Sequence, residues 1–157
     1  MADTNTDHHL QAVWKTKLSI NTAPAGAAAS YAQLCAGIEN IEEAINEQTK
    51  QYFFMCGEGF ACNEVNGMAP TFTLQGRRVH GDAAQDFIEG LKYSPAEARK
   101  TSIQLISTYL SGNTEKTTTI TCACTITAIT TLGGATTDNS PFNVTIALNG
   151  KPTVTAA

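Results

Sequence analysis

Residues 70–91, PTFTLQGRRVHGDAAQDFIEGL, contain a strand, a tight turn and an amphipathic helix in immediate succession. Phe72 and Leu74 lie two apart, so an extended backbone turns both to one face. Gly76 interrupts the alternation, Arg77 and Arg78 follow, and Gly81 supplies a turn. Asp82 is a good helix N-cap, and Gln85 three residues later completes the pattern of a capping box. Ala84, Phe87, Ile88 and Leu91 fall at i, i+3, i+4 and i+7, the spacing of one buried helical stripe. Asp86 and Glu89 fall off it. Gly90 and then Ser94-Pro95 stop the helix. The spacing predicts a helix over about 82–91 whose packing residues are Asp82, Gln85, Phe87, Ile88 and Leu91.

Working outward, the rest of the chain reads as mostly β. Ala12 to Asn21 alternates, with Trp14, Leu18 and Ile20 on one face and Lys15 and Lys17 on the other. Residues 22–30 are loop, and 30–37 have room for a short helical turn closed by Gly37. After Ser94, Pro95 and Glu97, which form another S-x-x-E capping signal, the sequence turns strand-rich. Residues 101–112 place Ile103, Leu105 and Tyr109 on one face and Ile106 and Leu110 on the other. Residues 117–130 put Ile120, Cys122, Cys124 and Ile126 on one face and a run of threonines on the other, with Ile129 out of step. Val144, Ile146 and Leu148 point inward from 142–154, where Asn149-Gly150 is a hairpin signal and Val154 lies on the return strand. These patterns predict a mainly β fold with one α-helix. The architecture is a β-sandwich or partly open barrel flanked by that helix.

Two segments resist a single reading. In 38–50, Ile38, Ile41 and Ile45 fit helical spacing, yet the segment lacks a cap and Asn40 and Asn46 interrupt it. Glu39, Glu42, Glu43 and Glu47 gather there, with no Lys or Arg between Lys17 and Lys50. They form either a solvated acidic face or an acidic wall toward something that must not stick. Residues 51–69 combine four aromatics, Met55, Met68 and three glycines with no lasting period. Such a loop is either folded back on the core or docked on another subunit, because exposure would invite aggregation.

The 157 residues are enough for one domain with its own core, expected over 12–157 behind a flexible arm at 1–11. Formal net charge is −4, which speaks against a dedicated nucleic-acid or anionic-membrane binder. Only 15% of residues are charged, against roughly a quarter in ordinary domains. Thr, Ala, Ser and Asn occupy the surface positions instead, so the chain either relies on neutral polar groups for solubility or covers much of its surface with partners. The sequence shows neither a leader pattern nor a membrane-spanning apolar run. His8-His9 reads as a solvated tail, and the sequon Asn143-Val144-Thr145 has no meaning without a secretory route.

Catalytic chemistry is not evident. Five cysteines at irregular spacing do not form a disulfide framework. Cys122 and Cys124 would have Cα atoms roughly 6.5–7 Å apart on one strand face, marginal for a disulfide, and read better as small core residues. Cys56 and Cys62 with His80 lack zinc spacing. No nucleophile elbow, phosphate loop or paired His/Cys arrangement occurs. The expectation is a non-enzymatic protein with no cofactor and no metal. Alternation puts Arg77 and Arg78 on opposite faces, so at least one is placed near solvent or an interface, either as a plain surface charge or as a contact to phosphate or to a carboxylate of a neighbouring copy, whose geometry arginine suits.

Residues 72–93, FTLQGRRVHGDAAQDFIEGLKY, resemble the strand–turn–helix of phage tail tube proteins, the major tail proteins of long-tailed phages. The matching positions are Gly76, Arg78, Gly81, Asp82, Gln85, Asp86, Phe87 and Ile88, in a pattern G-x-R, then G-D-x-x-Q-D-Y/F-I. The likeness covers about 38–157 and is strongest over 52–93. Ala83 departs from the proline often found there, and the chain is unusually rich in cysteine.

The resemblance implies hexameric rings that stack into a hollow tube, with the genome passing through the lumen without specific binding. It implies a long inter-subunit loop at about 44–69, with candidate contacts at Tyr52, Phe53, Phe54, Met55, Phe60, Met68, Arg77 and Arg78. It makes 38–44 extended and near the lumen, with Glu39, Glu42 and Glu43 as candidate lumen-facing acids, a reading preferred here over the helical period. Tape measure, tail terminator and baseplate proteins are the further partners it implies. The place is the phage tail in the virion, after synthesis in the host bacterial cytoplasm. The competing readings are a monomeric β-sandwich adhesin or glycan-binding module, and a head–tail joining or decoration protein of similar fold.

Overall fold

The computed structural model describes residues 9–24 and 26–157. The elements are β1 (Thr16–Asn21), β2 (Tyr31–Gln33), β3 (Ile38–Ala44), β4 (Gln48–Phe53), β5 (Ala61–Gly67), β6 (Thr71–Arg77), α1 (Ala83–Gly90), β7 (Lys100–Ser111), β8 (Thr114–Thr130) and β9 (Pro141–Ala156). Seven strands make one antiparallel sheet in the order β2-β1-β7-β8-β9-β6-β3, curled into a half-barrel. β4 and β5 form a separate two-stranded sheet. Of the two architectures expected, the partly open barrel is the one formed.

The core lies inside the curl. Leu18 and Ile20 of β1, Ile103 and Leu105 of β7, Cys122, Cys124 and Ile126 of β8, Val144 and Ile146 of β9, and Phe72 and Leu74 of β6 are all buried. Period-two alternation is what delivers them to one face. Helix α1 closes the core with Ala84 and Ile88 buried and Phe87 and Leu91 packed at its margin.

Several β-bulges explain where simple alternation fails. The β3–β6 register shifts between Ile38 and Asn40, so Ile38 pairs with Gly76 while Ile41 pairs with Leu74. The extra residue brings two isoleucines three apart onto the core side, which imitates helical spacing in a strand. In β8, Ala128 adopts φ 51° and the register slips between Thr127 and Thr130, returning Ile129 to the core. Asn149-Gly150 makes a bulge where the sequence predicts a hairpin. Gly150 takes φ 86°, and β9 runs on antiparallel to β8, with Ala123 paired to Asn149 and Thr121 to Thr153. The Cys122 thiol donates toward the carbonyls of Asn149 and Gly150, and the Asn149 amide donates to the Thr125 hydroxyl at 2.8 Å. These contacts hold the bulge in place.

Three further expectations are corrected. Residues Val13–Lys15 form a 3-10 turn in which Lys15 N–H donates to the Ala12 carbonyl, so Trp14 leaves the strand face and is 80% exposed. The helical turn expected in 30–37 is instead edge strand β2, because β1 has a free ladder side that Tyr31–Gln33 satisfies. Ser94 does not cap the turn at Ala96–Arg99. Its hydroxyl donates to the Gly90 carbonyl, and the Arg99 guanidinium closes the end of α1 through the carbonyls of Lys92 and Ser94. The arm expected over 1–11 lies, through residue 8, outside the described residues. His9 Nε2 lies 2.9 Å from the Gly112 carbonyl at the β7–β8 tip. No helix among the described residues is long and apolar enough to cross a membrane.

Candidate assembly surfaces

Residues 38–44 are extended, and so are 48–53 and 61–67, where the sequence shows no period. The reason is geometric. Every residue of β4 and all of β5 except Gly67 are exposed, so neither face is selected for burial and no alternation is imposed. The hairpin leaves the β3–β6 ladder at Asn46, whose φ of 53° turns the chain. Asn46 then clamps the return, its amide donating to the Ala69 carbonyl at 2.9 Å and to the Thr71 hydroxyl at 3.3 Å, while Ala69 N–H donates to the Ile45 carbonyl.

Beyond that clamp, β4 and β5 pair with each other and make no substantial packing on another element. Tyr52 and Phe54 stack with ring centroids 6.0 Å apart. Phe53, Met55, Phe60 and Met68 are 66%, 105%, 78% and 64% exposed. An isolated two-stranded hairpin is marginal in water, and apolar exposure on this scale marks an interaction surface.

The two arginines have different fates. Arg77 is half exposed and pairs loosely with Glu39 at 3.7 Å, an exposed pair that contributes little. The Arg78 side chain is 5% exposed and its fork is occupied within the chain. Nη2 reaches Asp86 at 2.6 Å, Nε reaches Glu89 at 2.6 Å, and Nη1 donates to the Val79 carbonyl. Burial pulls the Arg78 pKa down, but hydrogen bonds and charges from Asp86 and Glu89 outweigh it and leave the value raised. The hydrogen bond from Arg78 holds the Asp86 carboxyl below its ordinary range. His80, Asp86 and Glu89 gather their ligand atoms closely enough to suggest a metal, but the cation seated among them is Arg78.

Gln85 is fully buried, which the stripe Ala84-Phe87-Ile88-Leu91 does not indicate. Only half of the expected capping box forms: Asp82 Oδ2 accepts from Gln85 N–H at 3.1 Å. The Gln85 side chain turns away from the cap. Nε2 donates to the carbonyls of Ala36 and Arg77, and Oε1 accepts from Val79 N–H at 2.8 Å. The capping-box position, three residues after Asp82, is the signal that places Gln85 among the packing residues beside the stripe.

The three acidic candidates do not share one face. Glu42 pairs across from Thr73 and Glu43 from Phe72, so adjacent positions put them on opposite sides of the edge strand. Glu39 leans to Arg77. An open cleft of about 520 Å³ lies where the two ends of the curled sheet approach, lined by Trp14, Leu18, Leu34, Ile38, Ile41 and Leu74 among others. All five cysteines are free; Cys35, Cys56 and Cys62 are exposed, and Cys122 and Cys124 are buried. Burial and the neighbouring Cys122 push the Cys124 thiol up to about 12.

No protein-family model and no curated protein sequence matches the chain. Solved structures do match in fold. The cap of the anti-feeding prophage, a tube-terminating cap, is 17% identical over the full length of both chains, with a TM-score of 0.62. A tail protein of an empty gene transfer agent particle, refined helically with C6 symmetry, is 12% identical over 93% of this chain and 99% of that one, with a TM-score of 0.67. A protein of the PVC sheath–tube complex, an extracellular contractile injection system in its extended state, is 15% identical over the full length of both, with a TM-score of 0.60. The structural neighbours are tail tube and tube cap proteins of phage-like systems, and this chain has their fold.

Proposed function

We propose that this chain, carrying the fold of tail tube proteins, is a non-enzymatic structural subunit that forms hexameric rings stacking into a hollow tail tube for genome passage. The observation that carries the reading is the β4–β5 hairpin. Its exposed Phe53, Phe54, Met55 and Phe60 extend from the body with little cover from the other described residues. A hairpin with that much apolar surface gains stability by packing on a second copy.

In this reading Tyr52, Phe53, Phe54, Met55, Phe60 and Met68 contact neighbouring subunits, and Arg77, held only by exposed contacts to Glu39 and the Asn139 carbonyl, joins them. Arg78 serves the subunit's own helix. The chain belongs to the virion tail, after synthesis in the host bacterial cytoplasm, with tape measure, terminator and baseplate proteins meeting the finished tube. Low net charge and few cations suit a conduit that does not hold phosphate.

The full-length match to a tube-terminating cap supports a second reading, a ring that ends a tube. Negative-stain electron microscopy of the purified chain over a concentration series tests both. Hollow tubes of constant diameter support the tube subunit, rings that never stack support the cap, and a monomer at every concentration overturns both.

A further inference from the structure

The body carries a second apolar feature besides the hairpin. The cleft of about 520 Å³ at the open side of the curled sheet is walled by Leu18, Leu34, Ile38, Ile41 and Leu74, and Trp14 stands at its mouth, 80% exposed. Its two flanking strands have open ladder sides: β3 pairs with β6 alone, and β2 covers only Ser19–Asn21 of β1. Lys15 Nζ lies 5.6 Å from the centre of the Trp14 ring and makes no ion pair among the described residues. Glu39, which also lines the cleft, is already paired with Arg77. The hairpin tip has the complementary make-up. Phe53, Phe54, Met55 and Phe60 surround one charge, Glu58, which also makes no ion pair among the described residues. Tip and cleft of one copy lie at opposite ends of β3. The cleft uses its first residues, Ile38 to Ile41, whereas the hairpin leaves beyond its last, Ala44, and β4 carries the tip about 20 Å further.

We infer that the cleft of one copy receives the hairpin tip of another, with Trp14 against the phenylalanines and Lys15 facing Glu58; this rests on the tube reading above and names where its hairpin goes. Area supports the fit. Three phenylalanines, each able to bury about 150–250 Å², bring the contact close to the roughly 800 Å² per partner of a standard interface. Tryptophan is the residue type that most often anchors such a contact. Charge supports it too, since opposite signs at the rim set the register of the two surfaces. A hairpin packed on a second hairpin would close at two copies and leave the cleft open. Hairpin into cleft joins unlike surfaces, so every junction leaves one cleft and one hairpin unfilled and the contact propagates head to tail.

Two loss variants of the full chain separate the halves of the contact. Trp14→Ser strips the mouth of the cleft, and Phe53→Ser/Phe54→Ser strips the hairpin; circular dichroism checks that each subunit keeps its fold. Each alone is expected to raise the critical concentration for tubes at least about tenfold. Mixed, they are expected to make a single kind of junction, the intact hairpin of the first in the intact cleft of the second. Sedimentation should then show a complex of finite size at concentrations where neither variant assembles. Lys15→Glu and Glu58→Lys should each weaken assembly, and the two together restore it. With Cys35, Cys56 and Cys62 replaced by serine, Gln33→Cys and Met55→Cys on separate copies are expected to be joined by a short bis-maleimide in tubes and not in dispersed subunits. Four results overturn the cleft as the receptor: Trp14→Ser tubes at the wild-type concentration, no larger species from the mixture, a double charge reversal no better than the singles, or introduced thiols that do not join. A thiol at position 33 already blocked in dispersed subunits shows the cleft filled by its own chain and overturns it as well. If the hairpin variant still loses tubes in those cases, the tube reading stands; absence of tubes and rings from wild type overturns the reading itself.

Discussion

The side-chain amide of Gln85 donates to the Ala36 carbonyl at 2.7 Å, tying helix α1 to the turn that leads into β3. The same amide satisfies Arg77 O and Val79 N–H, so one fully buried polar group joins three segments. Leaving such groups unpaired costs about 1–3 kcal/mol each. Gln85→Leu is therefore expected to lower stability by roughly 2–4 kcal/mol, read as a fall in urea midpoint. Gln85→Glu is expected to destabilise as well, since a carboxylate cannot donate to the carbonyls of Ala36 and Arg77. A Glu variant as stable as wild type would refute the role.

The Arg78–Asp86 pair gives the helix an acid dependence whose sign is fixed. Folding lowers the Asp86 pKa below its ordinary 3.8, chiefly through the hydrogen bond from Arg78. The unfolded state thus binds the proton more readily, and the pair's contribution is present above that value and lost as pH falls through the lowered one. Asp86→Asn is expected to lower Tm at neutral pH, with the gap to wild type closing in strong acid. Parallel thermal melts across pH check this; a gap that persists unchanged at the acid end would contradict it.

Much of the fold was legible because burial imposes a period. The cap at Asp82, the buried Ala84 and Ile88, and the inward faces of β7, β8 and β9 all follow from spacing. Legibility failed where one residue was inserted. The bulge after Ile38 moved Ile41 to the core face and made a strand look helical, and Gly150 served a bulge where Asn-Gly more often serves a turn. In the hairpin there was nothing to read by periodicity, since β4 and β5 expose both faces. The carboxylate partners of the buried Arg78 side chain were hidden for another reason: a charge off the apolar stripe says nothing of its pairing until strand and helix meet.

Gly76 marks where β3 crosses β6 too closely for any side chain. A Cβ there would lie 2.1 Å from the Gly37 carbonyl oxygen and 2.8 Å from Ile38 Cα, both backbone atoms. Gly76→Ala must push the start of β3 away from the sheet. The expected cost is about 1–3 kcal/mol, in the range of overpacked cores, with the hydrogen bond from Arg77 N–H to Gly37 O among those disrupted. Chemical denaturation measures the loss, and faster amide exchange at Arg77 locates it. Gly90→Ala is the control, because a Cβ at Gly90 meets open space.

Thiol chemistry should divide the cysteines by burial. Cys35, Cys56 and Cys62 are exposed and are expected to react in the native subunit at mildly alkaline pH. Cys122 and Cys124 are expected to stay unmodified until unfolding. The Cys124 thiol is raised from 9.0 to about 12 by burial and by Cys122, so its contribution to stability is complete below 9 and lost as pH climbs toward 12. Mass spectrometry after brief alkylation should show three adducts on the native subunit and five after denaturation. Rapid native labelling of Cys124 would show that the β8–β9 bulge opens.

The hairpin allows assembly to be separated from folding. Phe53 and Phe54 are 66% and 57% exposed and contribute little to the subunit's own core, which lies inside the curled sheet. If they are contacts between copies, each buries an aromatic side chain there, an effect of about 1.5–3 kcal/mol. Phe53→Ser/Phe54→Ser is therefore expected to leave subunit Tm and circular dichroism unchanged while abolishing tubes at concentrations where wild type forms them. Asn46→Ala should act differently. It removes the clamp on Ala69 and Thr71 and leaves a residue without a polar side chain at φ 53°, so the hairpin loses its fixed exit from the β3–β6 ladder. Tubes should then form only at higher protein concentration, read as a raised critical concentration in sedimentation assays. Wild-type assembly by the double phenylalanine variant would show that the apolar hairpin is not the contact, and would leave the edge strand β3 as the surface to test.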